Sequence, residues 1–559
     1  MKKDRLALLA GAIVVLTYGV IYPNAAVVVS SFVRDGVWTL ANYREVLSQR
    51  VVIEAIVSSL GLSIATVALC ALVGVPLAFL FERFTFPGRR IFAAIAALPL
   101  VLPPLVGSVA FIFLAGETGI LAHSIQNLFQ LEQPPWRLAG WPALLLFHTY
   151  TMYPFFYVLT GAGLRRIDAS LAEAARSLGG SRAFVFARVL GPQLTPSLIA
   201  AALLTFMTSM ASFSAPLLFG GNVRVLTLEI FTARQRGDMM IATTETVVLA
   251  VISLAALILF QRYEGTRKFA AATMKGAPRR RVTIASGKAR VLAACAAVIF
   301  AIVLVLPVAT LFLVSFAREG SWTTQTLPSA YTLANYQRLF GDPNAAEVFF
   351  NSFSMSAIAA LAALVWSFCV VMLLVKRERR RATLLGRGGR RLLSLLILVP
   401  WALPGTVVAV SVAEAYGQPS LLLGSFVLVG TFWILPVVYF LRFMPLVVRA
   451  LQASTEQVDP ALGEAAGSLG ARAWQRFLRV TLPLVWPGAV AGTLLAFVIA
   501  LGEYVASVLV FVPANRPISI AIASELRDFN LGAAAAYGVV LIVIISVSMF
   551  VAGKLERMR

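Results

Sequence analysis

The chain has 559 residues, of which 59% are hydrophobic and 13% charged, and its formal net charge is +22. Soluble globular proteins contain roughly 45–50% apolar and about 25% charged residues, so the composition excludes that class. Apolar runs long enough to cross the hydrocarbon core of a bilayer recur along the whole chain. The sequence therefore predicts an all-α polytopic membrane protein.

Twelve membrane-spanning helices are predicted from the apolar windows in chain order. The first six lie at about 6–31, 53–81, 91–115, 141–162, 195–219 and 243–261. The other six lie at about 291–316, 349–375, 392–415, 421–446, 484–512 and 533–553. The first apolar run is longer than a typical signal-peptide core, so it is interpreted as an uncleaved anchor.

The basic residues are concentrated in every second segment that connects the predicted spans. Of the 47 Lys and Arg residues, 36 fall in the two termini and in every second connecting segment, with 442–479 counted among those segments. This positive-inside pattern predicts that both termini are cytoplasmic. Because no basic stretch adjoins a nucleic-acid-binding module, the charge indicates anionic lipid and protein partners, not nucleic acid.

Cysteine and histidine usage predicts neither a disulfide framework nor a metal site. Cys70, Cys295 and Cys369 each lie inside an apolar run and are interpreted as small buried hydrophobic residues. His123 and His148 have no second His, Cys or acidic cluster at the spacing of metal ligands.

The two halves of the chain repeat each other. Leu40-Ala41-Asn42-Tyr43 recurs as Leu333-Ala334-Asn335-Tyr336, and Pro99 and Pro103 recur as Pro400 and Pro404. Each half has an even number of predicted spans, so the repeat is parallel and not inverted. The predicted division is a first six-helix repeat at 1–262, a basic cytoplasmic linker at 263–290 and a second six-helix repeat at 291–559.

One cytoplasmic segment is matched nearly residue for residue in both halves, at a constant offset of 291. We call its copies the first amphipathic segment (residues 167–192) and the second amphipathic segment (residues 458–483). The residues that define them are Asp168, Glu173, Ala174, Ala175 and Gly179 in the first, and Asp459, Glu464, Ala465, Ala466 and Gly470 in the second. A proline follows 13 residues after the glycine in each copy.

Physical chemistry predicts a short capped helix in each copy. An aspartate is a good N-cap, and glycine permits the left-handed backbone that ends many helices. In the first copy Leu171, Ala174, Ala175 and Leu178 share one face, and the second copy repeats this apolar stripe. Such a helix could simply pack on the membrane bundle. Because both copies keep the same residues at the same positions, they present two similar surfaces. This favours a partner that has two similar grooves.

This Glu-Ala-Ala, three residues, Gly pattern resembles the EAA motif of ABC importer permeases. Two such motifs in one chain resemble the fused permeases of the ferric-iron, thiamine and 2-aminoethylphosphonate importers. The first copy has Gly191-Pro192 where the second has Leu482-Pro483. The resemblance implies that each segment forms a coupling helix in a groove of one of two cytoplasmic ATPase subunits, contacted through Glu173 and Glu464.

The same resemblance implies the other parts of the system. A separate solute-binding protein would deliver the substrate at the outer face, and ATP with Mg would be bound by the ATPase. The chain itself would be a transport subunit, not an enzyme, in the inner (plasma) membrane of a bacterial cell, and no cofactor is expected in it. It lacks a Gly-x-x-x-x-Gly-Lys-Ser/Thr phosphate loop, so it is not the ATP-hydrolysing subunit.

Ionisable residues inside spans are candidates for the substrate pathway because their burial is costly. Glu503 is the clearest, and its repeat counterpart is Ser212. Glu503 could instead tie helices together as a hydrogen-bonded carboxyl group. Glu245 and Glu414 lie nearer span ends and are expected to face interfacial water. The breaks at Pro103-Pro104 and Pro404-Gly405 are interpreted as kinks.

The resulting prediction is a permease subunit of a binding-protein-dependent ABC importer for ferric iron. Thiamine, 2-aminoethylphosphonate or a polyamine are alternative substrates for the same architecture. A twelve-helix secondary transporter is a second class, but only Gly88-Arg89-Arg90 matches the basic signature of such carriers. A membrane enzyme would need clustered polar residues in a large outer loop, and the predicted outer loops are short.

Overall fold

The computed structural model describes residues 2–266, 282–284, 286–322, 325–374, 387–419 and 424–557. Its α-helices up to residue 266 are Lys2–Leu16, Tyr22–Phe32, Ala41–Ser48, Arg50–Arg83, Arg89–Ile95, Pro104–Ala115, Ile120–Phe129, Gly140–Arg166, Ala169–Ser177, Arg182–Val185, Gly191–Met210, Ser214–Phe219, Leu226–Gln235 and Met239–Thr266. Those that follow are Gly287–Ser315, Ala334–Gly341, Pro343–Leu374, Arg387–Ala402, Gly405–Tyr416, Ile434–Glu456, Pro460–Ser468, Ala473–Arg476, Leu482–Leu501, Val505–Val510, Ile518–Arg527 and Leu531–Arg557.

Short irregular helices and strands complete the described secondary structure. Three π-helical turns span Thr17–Ile21, Phe186–Leu190 and Phe477–Thr481, and two 3₁₀ turns span Leu98–Val101 and Pro513–Asn515. Val33–Arg34 pairs antiparallel with Val37–Trp38, and Phe84–Thr85 pairs parallel with Val282–Thr283.

The all-α membrane architecture is confirmed. Among the described residues, ten helices are long and apolar enough to cross a membrane, or eleven if the bent pair Gly388–Ala402 and Gly405–Tyr416 is one span. The pair bends by 105° where Pro404 precedes the second helix. Many side chains on the outer faces are large and apolar, such as Leu72 at 70% exposed and Val365 at 67%, which suits contact with lipid.

The fourth predicted span, 141–162, corresponds to the 27-residue helix Gly140–Arg166. It is not among the ten, because His148 and the threonines and tyrosines beside it lower its hydropathy. These polar residues are directed into the protein: His148 is fully buried and Tyr153 is 1% exposed. A membrane helix with polar residues on its protein-facing side escapes a purely hydropathic test.

The predicted bounds of two spans were wrong. The α-helix expected at 91–115 is interrupted between Ile95 and Pro104, and the long apolar stretch there is Pro104–Phe129. The helix expected at 421–446 runs from Ile434 to Glu456. Gly424 and Gly430 have left-handed backbones, with φ of 62° and 88°, which an α-helix cannot continue through. Residues 420–423 lie outside the described part of the chain.

The described chain forms two compact units that do not follow the chain order. One comprises Met1–Val46, Ile230–Ala250 and Leu333–Arg559, and the other comprises Leu47–Glu229 and Val251–Thr332. The first helices of the chain therefore belong with the second repeat, and Gly287–Ser315 belongs with the first. The repeat boundaries stay a prediction, and residues 267–281 and 285 of the linker lie outside the described residues.

In the unit that holds both termini, Tyr22–Phe32 packs against Gly405–Tyr416. The Tyr416 hydroxyl donates to the carbonyl of Tyr18 at 2.5 Å, and Ser30 Oγ donates to Glu414 Oε1 at 2.6 Å. Glu414 is therefore hydrogen-bonded within the protein and only partly exposed. Glu245 is 2% exposed, so the expectation that it faces interfacial water was wrong.

In the other unit, Arg50–Arg83 packs along Gly140–Arg166, and Gly287–Ser315 packs against Pro104–Ala115. Gly74 makes the first of these contacts close, because a Cβ there would lie 2.5 Å from the carbonyl oxygen of Tyr153. Small residues at such crossings let helix backbones approach and increase the van der Waals contact that holds membrane helices together.

Candidate functional site

The first amphipathic segment forms the predicted capped helix. Asp168 has an extended backbone and its Oδ1 accepts a hydrogen bond from the backbone N–H of Ser170 at 2.9 Å, so it N-caps Ala169–Ser177. Gly179 ends the turn with a φ of 83°, and its N–H donates to the carbonyl of Arg176. A Cβ at Gly179 would meet no neighbouring atom, so only the backbone conformation demands glycine there.

The second amphipathic segment has the same geometry. Asp459 N-caps Pro460–Ser468 by accepting from the N–H of Ala461 at 2.9 Å, and Pro460 occupies the first helical turn. Gly470 has a φ of 84° and, like its counterpart, open space around the position of a Cβ. The sequence match at an offset of 291 is therefore a match in backbone conformation.

The apolar stripe of each helix faces outward. Leu178 and Leu469 are both 88% exposed, and Leu171 and Leu462 are 42% and 48% exposed. Glu173, Glu464, Ala174 and Ala465 are exposed on the same helices, whereas Ala175 and Ala466 are partly buried. Large apolar side chains held outside the membrane spans are typical of a surface that a partner protein covers.

The opposite face anchors the first helix to the membrane bundle. Ala172 is fully buried in a cluster with Val185, Leu190 and Leu194, of which the last belongs to the following span. In the second helix the counterpart of Ala172 is Gly463, which is partly buried. The first helix thus rests on a compact apolar base and leaves its other face open.

The two predicted pathway residues lie at matching breaks. Ser212 follows the helix Gly191–Met210 and precedes Ser214–Phe219, and Glu503 follows Leu482–Leu501 and precedes Val505–Val510. The spans predicted at 195–219 and 484–512 are therefore each interrupted in the last third of their length. Non-helical backbone within a membrane protein is tolerated where it is buried or lines a cavity.

Glu503 lies beside Arg442, which the sequence analysis placed in a cytoplasmic segment. Its Oε2 is 3.5 Å from Arg442 Nε, and its Oε1 accepts from the N–H of Ala506 at 2.9 Å. The two side chains are 7% and 18% exposed. Arg442 was counted with the cytoplasmic segment 442–479, which was wrong, since it lies inside Ile434–Glu456. The apolar residues on both sides of Arg442 were the signal for this.

Ser212 is bound to a histidine that had no assigned role. His148 Nε2 and Ser212 Oγ are 2.9 Å apart, and Nδ1 of the ring lies 3.3 Å from both Thr66 Oγ1 and Ser209 Oγ. Ser212 and Glu503, which occupy corresponding sequence positions of the two repeats, thus lie in polar clusters of different chemistry. Within the described residues, no group of three or more His, Cys, Asp or Glu side chains is placed to hold a metal ion.

Comparison with known proteins identifies the family. Residues 71–264 and 381–558, together more than half of the chain, match the family described as "Binding-protein-dependent transport system inner membrane component". The probable ABC transporter permease protein y4fN of Sinorhizobium fredii is 31% identical over 520 residues, covering 92% of this chain and 90% of that protein. The ferric transport system permease protein FbpB of Actinobacillus pleuropneumoniae is 24% identical over 545 residues, covering 96% of this chain and 76% of that protein.

Among solved structures, one similar chain comes from a bacterial alginate ABC transporter in complex with its alginate-bound periplasmic protein. It is 17% identical, covers 48% of this chain and 94% of its own length, and has a TM-score of 0.38. The named relatives are permeases, which are transport components and not enzymes. With two family matches in one polypeptide, the chain belongs to the binding-protein-dependent transport system inner membrane components, as a fused two-repeat ABC importer permease.

Proposed function

We propose that the two amphipathic segments are the docking sites for two copies of a cytoplasmic ABC ATPase subunit. The observation that carries this is the pair of similarly capped helices, each followed by a leucine, Leu178 or Leu469, that is 88% exposed. Closure of an ATP-bound ATPase dimer would draw the two helices together. A helix that contacts the open and closed dimers differently supplies the bias that a two-state transporter needs.

In this proposal the side bearing the two segments is cytoplasmic, as are both termini. A solute-binding protein delivers the substrate at the opposite face, and ATP with Mg is bound by the ATPase. The surplus of basic residues on the segments' side supports this orientation. Membership of the importer permease family excludes the secondary-transporter alternative.

We propose ferric iron as the substrate. The support is the similarity to the ferric transport permease FbpB, which extends over 96% of this chain. Thiamine, 2-aminoethylphosphonate and polyamine remain the competing substrates of the same architecture. Uptake of radioactive ferric iron by cells that carry the complete system would decide. Competition of that uptake by excess thiamine, 2-aminoethylphosphonate or a polyamine would contradict the iron assignment.

The docking proposal is tested by replacing Gly179 and Gly470 together with valine. Valine is strained at a φ near 80°, so both turns should rearrange and displace the helices they follow. We expect ATP-driven uptake to be lost while the protein remains in the membrane. Gly237→Val is the matched control, because Gly237 has a φ of 79° and an open Cβ position in a loop outside both segments. Normal uptake by the double variant would refute the docking assignment.

A further inference from the structure

The helix Gly405–Tyr416 begins at a buried and uncapped N-terminus. It starts directly after the 105° bend, and its N-cap residue Pro404 provides no side-chain hydrogen bond. The first helical hydrogen bond runs from Val408 N–H to the carbonyl of Pro404. The N–H groups of the three preceding residues, Gly405, Thr406 and Val407, have no partner within the helix, and all three residues are buried.

One polar atom on each of two side chains at this helix end also lacks a hydrogen-bond partner among the described residues. Thr406 is fully buried and its Oγ1 is unpaired. Thr406 is the second residue of the helix, so its Cα–Cβ bond is tilted towards the helix N-terminus. Arg442 Nη1 is likewise buried and unpaired, and it lies so close to Gly405 that a Cβ there would overlap the guanidinium group.

These groups are all donors or carry positive charge. A helix N-terminus behaves as roughly +0.5 of an elementary charge, and the guanidinium adds a full charge beside it. Glu503 balances Arg442 only at Nε, and its other oxygen is engaged by Ala506 N–H. The Nη1 side of the guanidinium thus faces the positive end of a helix, an arrangement that favours an anion.

The first repeat has a similar buried and uncapped helix N-terminus at Pro104–Ala115, but it lacks the polar side chains and one of the N–H donors. At the positions that correspond to Gly405, Thr406 and Arg442 it has Pro104, Leu105 and Thr151. Proline has no N–H, leucine has no hydroxyl group, and Thr151 Oγ1 donates to the carbonyl of Phe147 in its own helix. A break before this helix is common to both repeats, so the additional donors of the second repeat are not required by the architecture.

We propose that the N-terminus of Gly405–Tyr416, together with Thr406 and Arg442, binds an oxyanion group. Convergent N–H donors, a hydroxyl group and a guanidinium suit the oxygens of a sulfate- or phosphate-type ligand. Half-helix N-termini at the breaks of discontinuous membrane helices serve anionic groups in the same way. The group could belong to a dissolved solute or to a lipid headgroup. The proposal depends neither on ATPase docking nor on ferric iron as the cargo.

The test is equilibrium binding of radioactive sulfate to the purified full-length chain in a phosphate-free maltoside detergent. We expect saturable binding of about one sulfate per chain. Arg442→Gln should weaken binding by about tenfold or more, since hydrogen bonds to charged groups contribute roughly 1.5–3 kcal/mol. Thr406→Val, which keeps the side-chain shape, should weaken it less. Arg449→Gln is the control, because Arg449 is exposed on the same helix.

Glu503→Gln separates a binding site from a merely structural ion pair. The variant removes the carboxylate that competes with sulfate for the Arg442 guanidinium, so sulfate binding should become tighter. If Arg442 served only to pair with Glu503, the same change would not improve sulfate binding. Short-chain phosphatidylglycerol that displaces the sulfate would identify a lipid headgroup as the occupant, and no displacement would indicate a solute. Absence of saturable sulfate binding to the wild-type chain would overturn the proposal. So would Arg442→Gln and Thr406→Val variants that both bind sulfate as tightly as the wild-type chain.

Discussion

Single aspartates set the start of both amphipathic helices. A helix of nine residues is too short to be stable by itself in water, so its caps and its packing decide whether it forms. The first helix has the buried base around Ala172, whereas the second has Gly463 at that position. The second helix should therefore depend more on its cap.

We predict that Asp459→Ala loosens its helix more than Asp168→Ala does. Loss of an N-cap costs about 1 kcal/mol, equivalent to roughly a fivefold change in an opening equilibrium. Hydrogen exchange of the amides at 461–470 should become faster by about that factor, with a smaller change at 170–179. Asparagine is nearly as good an N-cap, so Asp459→Asn should restore protection. Equal exchange in the alanine variant and the wild-type protein would contradict this.

At the same scale, the sequence predicted the caps, the two turn glycines and the positions Ser212 and Glu503. It did not predict the partners of the last two. Arg442 and Glu503 are 61 positions apart, and His148 and Ser212 are 64 apart. Such pairs depend on which faces of two helices meet, and periodicity within one helix does not determine that. The role of Glu503 as a pathway residue or as a helix tie stays a prediction.

At the scale of elements, each described π turn stands two residues before a proline: Pro23, Pro192 and Pro483. A proline cannot donate to the carbonyl four residues earlier, and its ring crowds that carbonyl. The residue before the proline instead donates five residues back, from Gly191 to Phe186 and from Leu482 to Phe477. Hydropathy windows are insensitive to such a one-residue change in helical register, so the sequence reading missed these turns.

Two of these turns, one in each amphipathic segment, precede the next span and make similar aromatic contacts. Phe186 packs on Phe79 with ring centroids 5.6 Å apart, and Phe477 packs on Phe368 at 6.1 Å. The turn therefore fixes the rotation of the segment relative to its span. Restoring α-helical register would rotate the preceding residues by about 100°.

We predict that Pro192→Ala and Pro483→Ala, combined, uncouple ATP hydrolysis from transport. An alanine N–H can pair four residues back, which favours α-helix and separates the two phenylalanine contacts. In proteoliposomes with the ATPase and binding protein, hydrolysis should continue while uptake falls. Pro76→Ala is the matched control, since Pro76 lies inside the continuous α-helix Arg50–Arg83. Fully coupled uptake by the double variant would show that the turns do not position the segments.

At the scale of the whole molecule, the repeats are sequential along the chain but the compact units are not. Composition and hydropathy predicted helix number and the parallel repeat, because these depend on local sequence. They could not show that Tyr22–Phe32 packs on Gly405–Tyr416, since many apolar helix faces are interchangeable in sequence terms. The hydrogen bonds of Ser30 and Tyr416 are what make this pairing specific.

Because the first helices pack with the second repeat, we predict that the two halves stay joined after the linker is cut. A protease site placed within 267–281, with Ser30→Cys and Glu414→Cys added in a chain whose native cysteines are replaced, provides the test. Because Ser30 Oγ and Glu414 Oε1 are 2.6 Å apart, a short bifunctional thiol-reactive cross-linker should link the two fragments into one band on a denaturing gel. Each single cysteine variant is the control and should give two bands. If the paired variant also gave two bands, the first helix would not pack with the second repeat, and the repeats would be self-contained bundles.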